Sequence, residues 1–317
     1  MKTTCQLDTQ LRFPLYFFYN KPLPNLSYKN SNWRRKDMIS SRFARQFLFV
    51  LCLSLIVTGA FAQSTTNKEF QPVEGQAGKD VIWLPTAQAL VNKMLDMAKV
   101  TPQDYVIDLG SGDGRTVITA AKRGARALGI EYNPDMVAFS KRLAEKEGVS
   151  GKTQFIQADI FESDFSQATV ITMFLLEEIN LKLRPKILDM KPGTRVVSNT
   201  FTMGEWAADE TYNVDRAGGC ESYCTAYFWV VPAKVEGKWI LPQGELTLNQ
   251  SFQMISGTLK SGANTVQIKN GKLNGDQINF MVGNARYTGR VSGNTIQGIV
   301  ESGGKTTPWS ATQVGKV

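Results

Sequence analysis

The 317-residue sequence contains no histidine. That absence excludes His-based catalytic triads and the usual His-containing zinc sites, because imidazole is the common neutral-pH base and the common zinc ligand. Cysteine is scarce as well. Of four, Cys5 and Cys52 fall within the first 62 residues, which leaves Cys220 and Cys224. A C-x3-C pair without further Cys or His partners does not make a zinc site, and in an oxidising compartment it is a candidate local disulfide. The apolar run 47–57 has 11 residues, short of the ~20 that a membrane-spanning helix needs. An excess of positive charge is also missing from most of the chain. The formal charge is +8, but residues 1–62 hold nine Lys and Arg against Asp8 and Asp37, so 27 basic and 26 acidic residues remain beyond Ala62. The positive balance belongs to the start of the chain and gives no argument for a nucleic-acid partner.

The first 62 residues read as a leader. Arg42 and Arg45 precede Phe47–Val57, and Ala60-Phe61-Ala62 follows. A basic stretch, an apolar core and an A-x-A site predict a secretory signal peptide cut after Ala62, hence an exported, periplasmic protein. Contact with a membrane is expected only if the leader stays uncleaved, when its basic flank would still send the rest outward. Met38 makes a natural start, so residues 1–37 read as a dispensable or mis-called extension, 38–62 as the signal peptide and 63–80 as a polar linker.

The rest of the chain is organised around Tyr105-Val106-Ile107-Asp108-Leu109-Gly110-Ser111-Gly112-Asp113-Gly114-Arg115. A short apolar run ending in an acid, a glycine turn and a helical stretch predict the first strand, turn and helix of a doubly wound α/β domain over residues 81–232. Gly110, Gly112 and Gly114 suit a backbone that turns sharply and approaches a ligand, and the helix start behind them offers free N–H groups. The third glycine of a G-x-G-x-x-G dinucleotide fingerprint is absent, since Arg115 stands there. Asp108 would repel a pyrophosphate but suits a cationic amine. Two further predicted strands end in acids, Ala127–Glu131 and Thr153–Asp159, and Glu131 lies 23 residues beyond Asp108. That spacing suits a carboxylate for ribose hydroxyls, and Asp159 suits an adenine amino group. Strands are also predicted at 168–174, 194–199 and 223–231, the last antiparallel and near the sheet edge.

The stretch around Asp108–Gly114 resembles motif I of class I methyltransferases that use S-adenosylmethionine (SAM). The resemblance implies SAM as cofactor, held by Asp108, Gly110, Ser111, Gly112, Asp113, Gly114, Glu131 and Asp159. Trp83-Leu84-Pro85-Thr86, Phe174-Leu175-Leu176, Asn180–Pro185, Val197–Phe201 and Trp206 are similar to a narrower group. These are the small methyltransferases related to the mitochondrial lysine N-methyltransferases of the ATP synthase c-subunit and the adenine nucleotide carrier. This likeness covers roughly residues 80–232, and departs at Asn199, where it implies a histidine. It implies lysine N-methylation of a protein. A small-molecule acceptor, and an exported SAM-fold protein that binds without catalysis, stand beside that reading. Trp83, Pro85 and Asn199 are candidate substrate contacts. Glu177, Glu178 and Glu205 are candidates for taking the proton of an acceptor amine, while each is also an ordinary surface charge. No metal and no protein nucleophile is required.

From residue 233 to 317 the pattern changes to alternating apolar and polar residues, punctuated by Asn270-Gly271, Gly293-Asn294 and Gly303-Gly304. Short strands at this spacing predict a small antiparallel meander, sandwich or partial barrel. The segment carries no cluster of chemical groups, so it is expected to bind or stabilise.

Overall fold

The computed structural model describes residues 69–315. The expected N-terminal extension, signal peptide with cleavage after Ala62, and first part of the linker fall on residues 1–68, outside the described residues. The described chain begins with a strap that turns back on itself, pairing Ala77 with Ile82, and leads into α1 (Gln88–Met97). A seven-stranded sheet follows, made of β1 (Tyr105–Leu109), β2 (Arg126–Glu131), β3 (Thr153–Gln157), β4 (Val170–Met173), β5 (Arg195–Asn199), β6 (Glu210–Asn213) and β7 (Thr225–Val230). Helices α2 (Arg115–Lys122), α3 (Pro134–Lys146) and α4 (Glu177–Leu188) connect successive strands. The order across the sheet is β3-β2-β1-β4-β5-β7-β6, with β1 to β5 parallel and the β7–β6 hairpin antiparallel at one edge.

The central parallel strands are buried on both faces, so β1 and β4 are buried nearly throughout rather than on alternate residues, Asp108 and Thr172 included. One core, around Leu90, Val91, Val117 and Val197, lies on the face covered by α1 and α2; a second, around Ile107, Ile171, Leu183 and Trp229, lies on the face covered by α4. The order reverses between β1 and β4, and a crevice opens there beyond the carboxyl ends of the strands.

The segment after β7 forms a closed antiparallel barrel of eight strands: β8 (Gly237–Leu241), β9 (Gly244–Ser251), β10 (Met254–Ser261), β11 (Asn264–Asn274), β12 (Gln277–Val282), β13 (Ala285–Ser292), β14 (Thr295–Ser302) and β15 (Lys305–Gly315). Each pairs with the next, and β15 returns to pair with β8, setting Thr312 opposite Ile240. Closure leaves no sheet edge exposed. Inward side chains fill the interior: Phe280 stacks on Tyr287 at 5.0 Å between ring centroids, and Trp309 stands edge-on to both at 5.8 and 5.3 Å.

The barrel adjoins the α/β domain along β6, β7 and the turn before β5. Phe252 stacks on Trp206 at 6.1 Å and lies under Arg184 at 5.3 Å. Gln253 donates to the Ala207 carbonyl at 2.7 Å, Lys272 pairs with Asp209 at 2.9 Å, and the Ala233 amide donates to the Gly275 carbonyl at 2.8 Å.

Candidate functional site

A cavity of about 250 Å³ opens at the carboxyl ends of β1, β2, β3 and β4, under the strap 76–86. Its floor is the turn between β1 and α2. The Gly110 and Ser111 amides donate to the Ile130 carbonyl at 2.9 and 3.0 Å, which folds the turn back against β2. Gly112 sits at φ +53, and a Cβ there would lie 2.5 Å from the Trp83 indole nitrogen. Any larger residue at this position would fill the cradle. The Ser111 hydroxyl is buried without a hydrogen-bond partner.

Asp108 and Asp104 bracket β1, and their contrast shows what the site is prepared for. Asp104, at the opposite end of the sheet, pairs with Arg195 and accepts from the Thr169 hydroxyl at 2.7 Å and the Thr101 amide at 2.8 Å. Burial pushes its pKa up, but Thr169, Thr101 and Arg195 together outweigh burial and hold it below the ordinary value. Asp108 is 6% exposed and accepts from the Thr172 hydroxyl at 2.6 Å. Burial raises its pKa to about 7 against the opposing Thr172 and Thr116 hydrogen bonds, and the nearby Asp113 and Glu131 charges add to the rise. Asp104 already has its cation, whereas Asp108 faces a cavity with none beside it.

Glu131 stands at the end of β2 with both oxygens engaged: Oε2 accepts from the Gly112 amide and Oε1 from the Asn133 amide, each at 2.9 Å. The carboxylate is therefore held rigidly between the glycine turn and the start of α3. Asp159 accepts from the Phe161 amide at 2.9 Å and forms an ion pair with Lys79 of the strap. The Lys79 hydrogen bond, then the Phe161 amide, lower the Asp159 pKa, and the same Asp159 hydrogen bond raises that of Lys79. Lys79 also lies 5.0 Å from the Tyr132 ring centroid.

Other sequence-based candidates take different places. Asp113 borders the cavity, but both its oxygens grip the Arg115 guanidinium, at 2.6–3.1 Å, and Oδ1 also accepts from the Arg115 amide at 3.1 Å. Arg115 in turn donates to the Thr86 carbonyl at 2.8 Å and ties down the strap. Asp113 thus takes one amide at the start of α2, that of Arg115, out of the N–H groups expected to face a ligand. Gly114 closes the turn against Phe155. Trp83 and Pro85 both line the cavity, Trp83 at its glycine floor. Asn199 does not line it: the side chain is fully buried, donates to the Thr86 hydroxyl at 3.2 Å and accepts from the Thr200 hydroxyl at 2.9 Å. Glu177 and Glu178 are exposed in the first turn of α4, where the helix dipole favours acids, and Glu205 is exposed in the turn after β5. None of the three lines the cavity. Cys220 and Cys224 are joined by a disulfide with a Cα separation of 5.7 Å.

Sequence reasoning missed Lys79 and the ring side chains Phe174, Phe201 and Tyr223, which border the cavity, and Thr172, the buried hydrogen-bond partner of Asp108. A signal for the rings was available: Phe174 and Phe201 each follow a parallel strand closely, and Tyr223 lies inside the C-x3-C pair.

The residues fit SAM on these observations. A cradle at Gly110–Gly112 that a Cβ would fill, an orphaned Ser111 hydroxyl, an Asp108 lacking a cation and two further strand-end acids match a ligand with a cationic amino-acid end and a nucleoside end without phosphate. The model of the ANTKMT methyltransferase domain matches residues 108–210. A protein-lysine N-methyltransferase from Saccharolobus islandicus (strain REY15A) is 44% identical over 138 residues, covering 43% of this chain and 86% of that enzyme. The human lysine N-methyltransferase of the ATP synthase c-subunit is 33% identical over 131 residues, covering 40% of this chain; the chain spans only 56% of that relative's length. Among solved structures, an RNA methyltransferase from Salinibacter ruber in complex with S-adenosyl-L-homocysteine is 43% identical, covering 48% of this chain and 96% of that one, with a TM-score of 0.44. With the archaeal relative matched over most of its length, the chain belongs to the ANTKMT-type family of SAM-dependent methyltransferases.

Proposed function

We propose that this chain is a class I enzyme that N-methylates lysine side chains of proteins outside the cytosol. The observation that carries the reading is the continuity of one cavity. It runs from the acidic, glycine-floored cradle at Asp108–Gly112 to a mouth bordered by Phe174, Phe201 and Tyr223, without a basic patch suited to a phosphate backbone. The names of the archaeal and mammalian relatives, lysine N-methyltransferases of proteins and of the ATP synthase c-subunit, support the same acceptor.

In this reading Asp108 holds the amino group of SAM, the turn Gly110–Gly112 approaches its amino-acid end, Glu131 takes the ribose hydroxyls and Asp159 the adenine amino group. Bound there, SAM supplies an electrophilic methyl on a sulfonium. The chain's own work is alignment and exclusion of water. The strap 76–86 covers the cradle through Trp83, Arg115 and the Lys79–Asp159 pair. That pair is partly exposed and therefore weak, so ligand groups can replace it at small cost. An acceptor lysine must arrive without its proton. Burial at the apolar mouth favours loss of the proton, because desolvation of an ammonium outweighs the weaker attraction of ring faces for it.

Export rests on the leader 38–62, and the Cys220–Cys224 disulfide supports it, because such bonds persist in oxidising compartments. The experiment incubates the full chain and methyl-labelled SAM with an envelope protein fraction, total RNA and a small-metabolite fraction. Label mapped to protein lysines is expected. Label confined to RNA or to small molecules would replace the lysine reading, and an intact leader on soluble cytosolic protein would remove the export reading.

A further inference from the structure

The wall of the cavity that follows β4 and β5 is aromatic. Phe174 directly follows β4, Phe201 follows β5, and Tyr223 lies in the loop between β6 and β7. Three separate stretches thus bring three rings together, with centroids 5.4 Å apart for Phe174–Tyr223, 6.2 Å for Phe174–Phe201 and 6.4 Å for Phe201–Tyr223. None of them belongs to the two apolar cores of the domain, and Tyr223 is 44% exposed. They form a surface between cavity and solvent, not filling.

The backbone holds this arrangement at a cost. Thr200 and Tyr223 adopt left-handed conformations, φ +62 and +54, which side chains other than glycine rarely take and which persist only where the surroundings enforce them. Thr200 is fixed by its amide to the Thr225 carbonyl at 2.6 Å and its hydroxyl to Asn199. Tyr223 is enclosed by the Cys220–Cys224 disulfide, and the Val214 amide donates to the Cys224 carbonyl at 2.9 Å to close the loop's base. The disulfide therefore spans the one residue that completes the ring cluster from outside the parallel sheet.

Resting on the lysine reading of this same site, we propose that Phe174, Phe201 and Tyr223 form the acceptor port, and that the Cys220–Cys224 disulfide is the positioning element that keeps Tyr223 in it. Ring faces attract an ammonium or methylammonium without donating or accepting a directional hydrogen bond, and their apolar area covers the lysine methylene stem. A port of this kind admits a long, slender cationic side chain and disfavours a carboxylate. It also tolerates the amine as methyl groups accumulate, because cation–π attraction does not depend on N–H donors. Phe174 and Phe201 are set by the sheet, whereas Tyr223 is set by a bond that a reductant can break, so occupancy of the port depends on the thiol state of the loop.

The test uses the full chain saturated with S-adenosylhomocysteine, and Nα-acetyl-lysine methylamide and its Nε-trimethyl form as probes. NMR saturation transfer reads which probe protons touch the protein. Transfer to the side-chain methylenes and N-methyls is expected in the wild type and in Tyr223→Phe. It should fall at least about fivefold in Phe201→Ala and Tyr223→Ala. It should also fall after reduction and in the Cys220→Ser/Cys224→Ser double variant. S-adenosylhomocysteine affinity by calorimetry should stay within about twofold throughout. Undiminished transfer in both alanine variants would overturn the port. Loss of S-adenosylhomocysteine binding in all ring variants would overturn it too, because the rings would then belong to the cofactor site. Transfer unchanged on breaking the disulfide would overturn the positioning role. If the wild type methylates no protein lysine while ring-dependent probe contact remains, the lysine function fails and the port stands. If methylation proceeds with an unchanged KM in both alanine variants, the function stands and the port fails.

Discussion

The α/β domain and the barrel solve the same packing problem with different residues, and the difference locates the chemistry. Among the described residues, the α/β half, with the strap that leads into it, buries Asp104, Asp108, Ser111, Asp113, Thr116, Thr172 and Asn199, with other polar side chains. The barrel buries a single polar side chain, Gln253, and spends it on the Ala207 carbonyl at the junction between the halves. Its interior is otherwise aromatic and aliphatic, closed by Trp239, Phe280 and Trp309. Buried polar groups are costly unless paired. In the α/β half most are paired; among the described residues the Ser111 hydroxyl, the Asn180 side-chain carbonyl and the Trp206 indole N–H lack a partner, and of these only Ser111 borders the cavity, beside Asp108. No residue beyond Tyr223 lines that cavity. The barrel is thus built for stability or contact, and the sheet for a ligand.

The largest expected effect separates the halves by stability. Trp309→Ala removes a buried ring packed on Phe280 and Tyr287 and should cost about 3–5 kcal/mol in denaturant unfolding, with SAM affinity unchanged wherever the protein remains folded. A loss of SAM affinity in folded Trp309→Ala would show that the barrel shapes the cradle. The next effect runs the other way. Gly112→Val places methyl groups into the cradle against Trp83, at a backbone angle that valine resists. SAM affinity should fall at least ~100-fold, near 2.7 kcal/mol, by calorimetry. Near wild-type affinity with the fold intact would move the cofactor away from this turn.

How far the residues announced these features depends on the range of the contacts involved. The glycine turn and the strand-end acids Asp108, Glu131 and Asp159 were legible because their environment is local: a strand, a turn and a helix start within a few residues. The parallel strands were legible because double burial demands continuous apolar runs, although β4 proved shorter than residues 168–174. β6 was not legible, since all four of its residues are exposed and it is held only by pairing with β7. Alternation revealed barrel strands, but closure depends on β15 meeting β8, some 70 positions away, which no local pattern encodes. The same holds for the site. Lys79 reaches Asp159 across 80 residues, and the rings of Phe174, Phe201 and Tyr223 converge only in three dimensions. Glu177 and Glu178 looked chemical because they follow β4, yet their position in the first turn of α4 answers to the helix dipole.

A titration sharpens the comparison within the sheet itself. The folded pKa of Asp108, about 7, lies above its ordinary 3.8, so the folded state keeps a proton that the unfolded chain releases. Its contribution to stability is present below pH 3.8 and is lost as pH rises through 7. Asp104 has the opposite sign: its pKa is lowered, so its contribution is present above 3.8 and is lost as pH falls through its folded value. A cationic amino group binds the ionised form of Asp108. SAM affinity should therefore weaken about tenfold per pH unit below 7, and Asp108→Asn should flatten that dependence while weakening binding at pH 8. A wild-type profile flat between pH 5.5 and about 8 would place the amino group elsewhere.

The smallest expected effect probes the junction. Lys272 of β11 pairs with Asp209, which stands immediately before β6, and the loop beyond β6 carries Tyr223. Lys272 is 46% exposed on its side chain, so screening leaves the pair worth at most about 1 kcal/mol, and Lys272→Ala should destabilise by no more than that. Asp209 keeps the Val230 amide at 3.1 Å, which anchors the base of the β6–β7 hairpin without Lys272. SAM affinity and methyl transfer should then both stay within about twofold of wild type. If transfer changes more than that while SAM affinity does not, the only part of the site disturbed is the acceptor side, reached through Asp209 and the hairpin. The barrel would then be no passive neighbour: its junction would tune the loop that holds Tyr223, and the division between a stabilising half and a chemical half would have to be redrawn along β6.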